Sequence, residues 1–298
     1  EERATDNAFQ IVINPASIQQ AMFQHSVLCQ TFLPYRNPGN DVTIWNQKQG
    51  HVNLAVQTTQ VLNPRTGDYE VVGLPYGTKA RLILAYLNSE AVKTQKKVID
   101  VEQTMTAFIR RLGLSNDGRT IRDVKDQIRR LTSSIINMGY SKDGRGMQVN
   151  LQIVKAFDLW FPKDDRQRVI WTPTIQLTDD YFDSLIDHAI PLDERALIAL
   201  SHNSMALDIY AWLAQRLHRI DPIKPQFIGW QNLKEQFGSN YSEMRKFKQV
   251  FRNTLKQVHM QYPMAKLNEV ANKGLLLSHS APPIPAKLFS VPTLPTKD

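Results

Sequence analysis

The sequence predicts an α+β protein built from two tandem winged helix-turn-helix domains related by internal duplication, preceded by an N-terminal helix and a small antiparallel sheet. Three observations carry this expectation. A basic amphipathic helix occurs twice, at Thr120 to Ser134 and at Tyr241 to Tyr262, each following a shorter helix that ends in glycine and each preceding two strand-like runs. The two rounds also align: Ala80, Ala85, Tyr86 and Leu87 match Ala206, Ala211, Trp212 and Leu213 at an offset of 126, and Leu112-Gly113 matches Phe237-Gly238 at 125. Finally, the positive charge sits in the same place in both rounds. Arg110 to Ser133 carries seven Lys/Arg against three Asp, and Gly229 to Gln261 six against two Glu; together these windows equal the chain's net charge of +8.

Taken in order, residues 1–14 are expected to be loosely ordered, and Pro15 to Phe32 reads as a helix with proline at its start, where a missing N–H is tolerated. Val42 to Trp45, Val52 to Thr58 and Tyr69 to Val72 are short, partly alternating runs separated by turn-forming residues, and would make the small sheet. Gly77 to Ala91 turns helical, Lys97 to Asp100 strand-like, and Thr104 to Leu112 helical until Gly113 closes it. In the first basic helix Ile121, Val124, Ile128 and Leu131 line one face, with Arg119, Arg122, Asp126, Arg129 and Arg130 opposite. Val149 to Trp160 and Val169 to Leu177 follow as strands joined by a polar turn, PKDDRQ.

The second round begins after Tyr181 to His188, a short helix. Asp193 to Leu200 is helical, Asn203 to Ile220 is longer, and Gly229 to Phe237 is the short helix before the second basic one. There Tyr241, Met244, Phe247, Phe251, Leu255 and Val258 share a packing face, and Ser242, Arg245, Lys246, Gln249, Asn253 and Lys256 the opposite one. Lys266 to Val270 and Gly274 to Ser278 make a terminal hairpin. Five prolines among the 17 residues from Pro282 give an extended tail. The expected division is therefore an N-terminal segment 1–40, a first domain 41–190 with its preceding strands, a second domain 191–281 and the tail 282–298.

Composition sets limits on function. With 298 residues, 42% of them apolar and 21% charged, the chain can bury two ordinary cores, and its positive balance favours a polyanionic partner. Its single cysteine, Cys29, allows no intrachain disulfide and no cysteine-built zinc site, and reads as a buried apolar residue. The polar N-terminus and the lack of any run of about 18 apolar residues lead to the expectation of a soluble, cytoplasmic protein without membrane contact.

No catalytic residue, metal or cofactor is expected. Gly73-Leu-Pro-Tyr-Gly77-Thr78-Lys79 has three residues between its glycines and threonine before lysine, so it fails as a phosphate-binding loop and reads as a turn into a helix. The seven histidines are scattered, with no metal-ligand spacing. Asp164-Asp165 falls in a turn and Asp179-Asp180 at a helix start, where negative charge suits the helix dipole.

Duplex DNA, by contrast, finds a part for each task. Lys and Arg neutralise phosphates, while Arg, Asn and Gln pair with base edges. Ser242, Arg245, Lys246 and Gln249, near the start of the second basic helix, are expected in a major groove, with Arg252, Asn253 and Lys256 on the backbone. In the first domain Arg119, Arg122, Arg129 and Arg130 face the right way, diluted by Asp123 and Asp126.

The runs VLCQTFLPYRNPG (Val27 to Gly39), GLPYGTKARLILAYLNSEAV (Gly73 to Val92), TAFIRRLGL (Thr106 to Leu114), PLDERALIAL (Pro191 to Leu200), MALDIYAWLAQRL (Met205 to Leu217) and FIGWQNLKEQFGSNY (Phe227 to Tyr241) resemble the RepA family of plasmid replication initiators, of the alphaproteobacterial type. The resemblance implies a non-enzymatic protein that binds origin repeats, often iterons, and helps open an adjacent AT-rich duplex. It implies the host replicative helicase and DnaA as partners, and a homodimer that represses its own promoter. A winged-helix repressor without initiator activity, and a scaffold whose basic faces meet acidic proteins, stand as alternatives.

Overall fold

The computed structural model describes residues 2–14, 16–63, 66–101, 105–142, 145–157 and 174–285. The expected turn PKDDRQ, with Asp164 and Asp165, and the tail beyond Pro285 lie outside these residues.

The first surprise lies at the N-terminus. Residues expected to be loose form helix α1 (Glu2–Ile13), and the helix expected from Pro15 is instead a single 3-10 turn at Ile18–Gln20 followed by strand β1 (Ala21–His25). The reason is tertiary: β1 is buried along its whole length and pairs antiparallel with residues 189–193, far away in sequence. Local propensity yields to such pairing. Helix α1 is held by Asn7 Nδ2, which donates to Gln261 Oε1 at 2.6 Å and to the Arg195 carbonyl at 3.2 Å.

Strand β3 (Val52–Thr58) falls where expected, whereas β2 (Ile44–Gln49) starts later than the expected Val42 to Trp45 and runs on through Gln47-Lys48-Gln49, residues expected to be a turn, because they pair with β3; a small hairpin follows, β4 (Gln60–Leu62) and β5 (Tyr69–Val71). The first round then runs α2 (Gly77–Thr94), β6 (Val98–Asp100), α3 (Met105–Arg111) and α4 (Gly118–Thr132). Helix α4 starts where Asp117 accepts from Thr120 N at 2.8 Å, and Ser115 and Thr120 hydroxyl bonds hold that carboxyl down at about 2.

A hairpin not expected as such comes next, β7 (Ser134–Lys142) and β8 (Arg145–Gln152), which joins β2 and β3 in a sheet ordered β2-β3-β7-β8; the single strand expected from Val149 is thus divided, its start ending β8 and its continuation forming a separate strand in another sheet. The hairpin's turn signal, Asp143-Gly144, stands in the sequence. Strands β9 (Val154–Phe157) and β10 (Thr174–Leu177) close the round.

Helix α5 (Asp179–His188), strand β11 (Ala189–Asp193) and helix α6 (Glu194–Ala199) lead into the second round. That round is α7 (Ser204–Arg216), β12 (Gln226–Gly229), α8 (Trp230–Phe237), α9 (Met244–Gln261), β13 (Leu267–Val270) and β14 (Gly274–Leu277).

Both rounds share one connectivity. In each, the strand after the first helix pairs antiparallel with the last strand, which in turn pairs with the strand before it: β6-β10-β9 and β12-β14-β13. The aligned aromatics behave alike as well. Tyr86 meets Phe108 edge-on at 5.1 Å, and Trp212 meets Phe237 edge-on at 5.3 Å. The aligned glycines both exclude a side chain, for different reasons. Gly113 has a left-handed φ of 69° and a Cβ there would lie 2.7 Å from Ile198, whereas a Cβ on Gly238 would strike the Phe247 ring at 2.4 Å.

One buried apolar cluster runs through both rounds, and an ion pair sits at their junction. Arg81 of α2 grips Asp208 of α7 with Nε to Oδ1 at 2.7 Å and Nη2 to Oδ2 at 2.8 Å. The same guanidinium donates to the carbonyls of Leu33, Pro34 and Gly77 and lies over the Tyr35 ring. Burial pushes the Asp208 carboxyl up and the Arg81 charge pulls against it. Cys29 is buried, and its thiol is pushed well above the usual range.

Two measurements follow from this core. Arg81→Met or Asp208→Asn alone should cost about 3–5 kcal/mol in denaturant unfolding, because each strands a buried charge or donor, while the double variant Arg81→Met with Asp208→Leu should recover most of it. His25 Nδ1 accepts from Val27 N at 3.2 Å, so its Nε2–H donates to Ser184 Oγ at 3.0 Å. Burial, and then the neighbouring His188, hold the His25 ring at about 4 against an ordinary 6.5. The fold therefore favours the neutral ring: this stability is complete above pH 6.5, is lost as pH falls toward 4, and amounts to about 3 kcal/mol at the acid end. Melting temperature should drop across that window, and His25→Gln should flatten the drop.

Candidate nucleic-acid interface

The second basic helix is set by what lies behind it. Phe247, Phe251, Leu255 and Val258 are buried, and the face they form packs on α7. Trp230 at the start of α8 meets Phe247 and Phe251 edge-on at 6.3 and 5.8 Å, and Phe237 meets Phe251 at 5.5 Å. Asn203, which caps α7, also donates to Gln257 Oε1 at 3.3 Å. With the helix's rotation fixed, its other side is exposed.

That side carries most of the residues expected to meet DNA. Arg245, Lys246, Gln249, Asn253 and Lys256 are exposed, and their side chains make no ion pair or hydrogen bond among the described residues. Ser242 is exposed too but precedes the helix, which begins at Met244 after Glu243; its carbonyl accepts from Lys234 Nζ at 3.1 Å. Beside this stripe lies a groove of about 500 Å³ between α9 and the hairpin β13-β14, lined by Gln249, Asn253, Lys256, His259, Leu267 and Glu269 among others.

Arg252 stands apart. Its Nε and Nη2 donate to Glu269 at 2.9 and 2.6 Å, and Nη2 also reaches Asn272 Oδ1 at 2.9 Å. The guanidinium lies 5.1 Å from the Trp230 ring centroid. Its donors are turned toward the hairpin.

On α4 the four expected arginines split in the same manner. Arg119 and Arg122 are exposed and make no side-chain bond among the described residues. Arg129 pairs with Glu70 of β5. Arg130 is 5% exposed: it bonds Asp126 at 2.8 Å, the Leu74 carbonyl at 3.2 Å and Asn40 at 3.0 Å, and lies over Tyr76. The loop before α2 covers the flank of α4 that a helical wheel leaves open, which is why Arg130 is internal. Both aspartates of α4 are matched locally, Asp123 by Lys79 at 2.7 Å and Asp126 by Arg130. Lys125, half-buried on the same helix, was not among the expected contacts; its position between Arg122 and Arg129 was the available signal.

Among the described residues no His/Cys/Asp/Glu group could hold a metal ion, and no described helix is long and apolar enough to cross a membrane.

Comparison with known proteins places this architecture. A family profile described as plasmid-encoded RepA protein, RepA_C, matches residues 74–232, more than half the chain. The chain belongs to the RepA_C family. It is thus a plasmid replication initiator of the RepA type, a DNA-binding protein. The match runs from within the loop before α2 into α8, so α9 and the last hairpin lie beyond it. No curated protein matches the chain. Among solved structures, the crystal structure of domains 2 and 3 of RctB is similar with a TM-score of 0.51 and 11% identity, over 84% of this chain and 94% of that one. A selenomethionine structure of the same two domains gives 0.51 and 10%, over 82% and 94%. At such identity the likeness speaks for the fold alone, and it extends across both rounds of this RepA-family chain.

The arginines of α4 separate by experiment. Arg130→Ala should lower unfolding stability by about 2–4 kcal/mol, since it empties a buried network. Arg122→Ala should change stability by no more than about 0.5 kcal/mol while weakening retention on duplex DNA.

Proposed function

We propose that this RepA-family protein reads duplex DNA at a plasmid origin with two linked winged helix-turn-helix domains. The first is 41–190, in which α2, β6, α3, α4, β9 and β10 follow the order of that motif. The second is 191–281, in which α7, β12, α8, α9, β13 and β14 do the same. Helix α4 and helix α9 are the recognition helices, and each hairpin is the wing. The observation that carries this reading is the exposed stripe of α9: the side chains of Arg245, Lys246, Gln249, Asn253 and Lys256 make no bond or ion pair among the described residues and are fixed in direction by the core behind them, with exposed Ser242 just before the helix.

The chemistry fits the task. Gln249 and Asn253 offer paired donors and acceptors to adenine, and Arg245 to guanine, while Lys246 and Lys256 meet phosphates. In α4 the contact set reduces to Arg119 and Arg122, with Lys125 beside them. Among the cations only Arg119 and Arg122 are exposed there, against Arg245, Lys246 and Lys256 on α9, and with no exposed amide on that face of α4 this favours α9 as the reader of sequence and α4 as the weaker partner. Joining two such heads on one chain raises the effective concentration of the second once the first is bound, so a pair of weak contacts reads a longer repeat tightly.

On this reading the protein binds origin repeats, iterons, and helps open the adjacent AT-rich duplex together with the host replicative helicase and DnaA, acting without catalytic residue or cofactor of its own. A homodimer acting at its own promoter belongs to the same proposal.

A nuclease footprint across the plasmid origin should show discrete repeats protected by the wild-type chain. The triple variant Arg245→Ala, Lys246→Ala, Gln249→Ala should lose that discrimination; full selectivity in the variant would move the reading face elsewhere. A complex touching roughly six phosphates should lose on the order of a thousandfold in affinity between about 50 and 200 mM salt. A plasmid carrying the repeats should replicate only when the protein is supplied.

A further inference from the structure

The cations of α9 divide into two groups that the sequence cannot distinguish. Arg245, Lys246 and Lys256 point to solvent, whereas Lys248 and Arg252 are turned onto the hairpin β13-β14. The hairpin's turn needs holding. Ala271 and Asn272 both take left-handed backbone, with φ of 36° and 60°, and an alanine there has no side-chain group to stabilise it. Gly274 lets the strand close in, since a Cβ would lie 2.0 Å from the Ile228 carbonyl oxygen.

Five bonds grip this hairpin from outside. Trp230 N donates to the Lys273 carbonyl at 3.1 Å, Lys248 Nζ to the Asn272 carbonyl at 3.2 Å, Arg252 Nη2 to Asn272 Oδ1 at 2.9 Å, and Arg252 binds both oxygens of Glu269. Arg252 and Lys248 also sit over the Trp230 ring, at 5.1 and 5.4 Å from its centroid. So one guanidinium ties together the recognition helix, the first residue of α8, the first strand of the hairpin and its turn. The pairing is two-sided: hydrogen bonding to Glu269 holds the Arg252 proton more tightly, and the same bonds lower the Glu269 carboxyl.

We propose that Arg252 is a positioning residue rather than a phosphate contact: with Glu269 it fixes the hairpin over the groove beside α9, so that the duplex meets helix and hairpin in one preset arrangement. The proposal rests on the DNA-reading face described above. It also explains an acidic residue, Glu269, in the wall of a groove meant for a polyanion: its charge is answered by Arg252 from within.

The two roles for Arg252 make opposite predictions. If Arg252 met phosphate, Glu269→Gln would release it and remove a repelling charge, tightening binding. If Arg252 positions the hairpin, Glu269→Gln loosens the clasp and weakens binding. The test uses the full chain and a labelled duplex selected by the wild-type protein from a random-sequence library, with affinity measured across a salt series and folding checked by melting temperature.

We expect Arg252→Ala and Glu269→Gln each to weaken binding by roughly tenfold, with the slope of log affinity against log salt unchanged, because no phosphate contact has been lost. The exchange Arg252→Glu with Glu269→Arg should restore most of the affinity. Lys256→Ala serves as the comparison, flattening the slope by about one phosphate's worth. A flattened slope in Arg252→Ala, together with tighter binding by Glu269→Gln, would overturn the proposal. Failure of the wild-type chain to select any duplex would instead overturn the DNA-reading face on which it rests. Should Arg252→Ala fail to fold, the sign of the Glu269→Gln effect still decides.

Discussion

The paired charges of Arg81 and Asp208 are the constraint around which the molecule is arranged. Each lies on the first helix of its round, and both are almost wholly withdrawn from water, at 8% and 7% side-chain exposure. Neither could be buried alone: an isolated charge in such a place costs several kcal/mol, and only a bidentate partner with the remaining donors satisfied offsets it. The remaining donors go to the carbonyls of Leu33, Pro34 and Gly77, so the segment before the first round is drawn into the same junction. Apolar packing alone would tolerate many sliding arrangements of α2 on α7. A fork-to-carboxylate pair with fixed geometry tolerates one.

Legibility in the sequence followed the range of the interaction that forms each element. Helices whose apolar spacing is local, α2, α4, α7 and α9, were readable to within a few residues, as were the strands of the last hairpin. Segment Ala21–His25 was not, because what makes it a strand is its pairing with Ala189–Asp193, and no local pattern encodes a partner that distant. Helix α1 is illegible for a related reason: its fit depends on Asn7 meeting Arg195 and Gln261 far along the chain. The hairpin β7-β8 differs, since a local signal, Asp143-Gly144, stands in the sequence between its two strands.

The candidate surface shows the same limit in electrostatic form. A helical wheel tells which side of α4 or α9 is polar, but it cannot tell a charge that faces water from one that another loop has covered. Arg130 and Arg122 look equivalent by spacing; one is inside a network with Asn40, Asp126 and Leu74, and the other is exposed. Net charge by window therefore located the basic helices correctly while overstating how many of their cations are available. Folding had already claimed Arg129, Arg130, Lys248 and Arg252.

One more consequence follows from the pairing of β1 with β11. The strand that precedes the first round is zipped to the strand that leaves it, so the chain's entry and exit are fastened side by side, and α2 against α7 adds a second fastening. Two readers joined by a slack tether could slide to suit the DNA they find. These are joined by a seam, and for the proposed two-headed reading that makes the molecule a ruler: a site with altered bases would be bound less well, but one with a few base pairs inserted between its halves would turn one half away from its reader altogether.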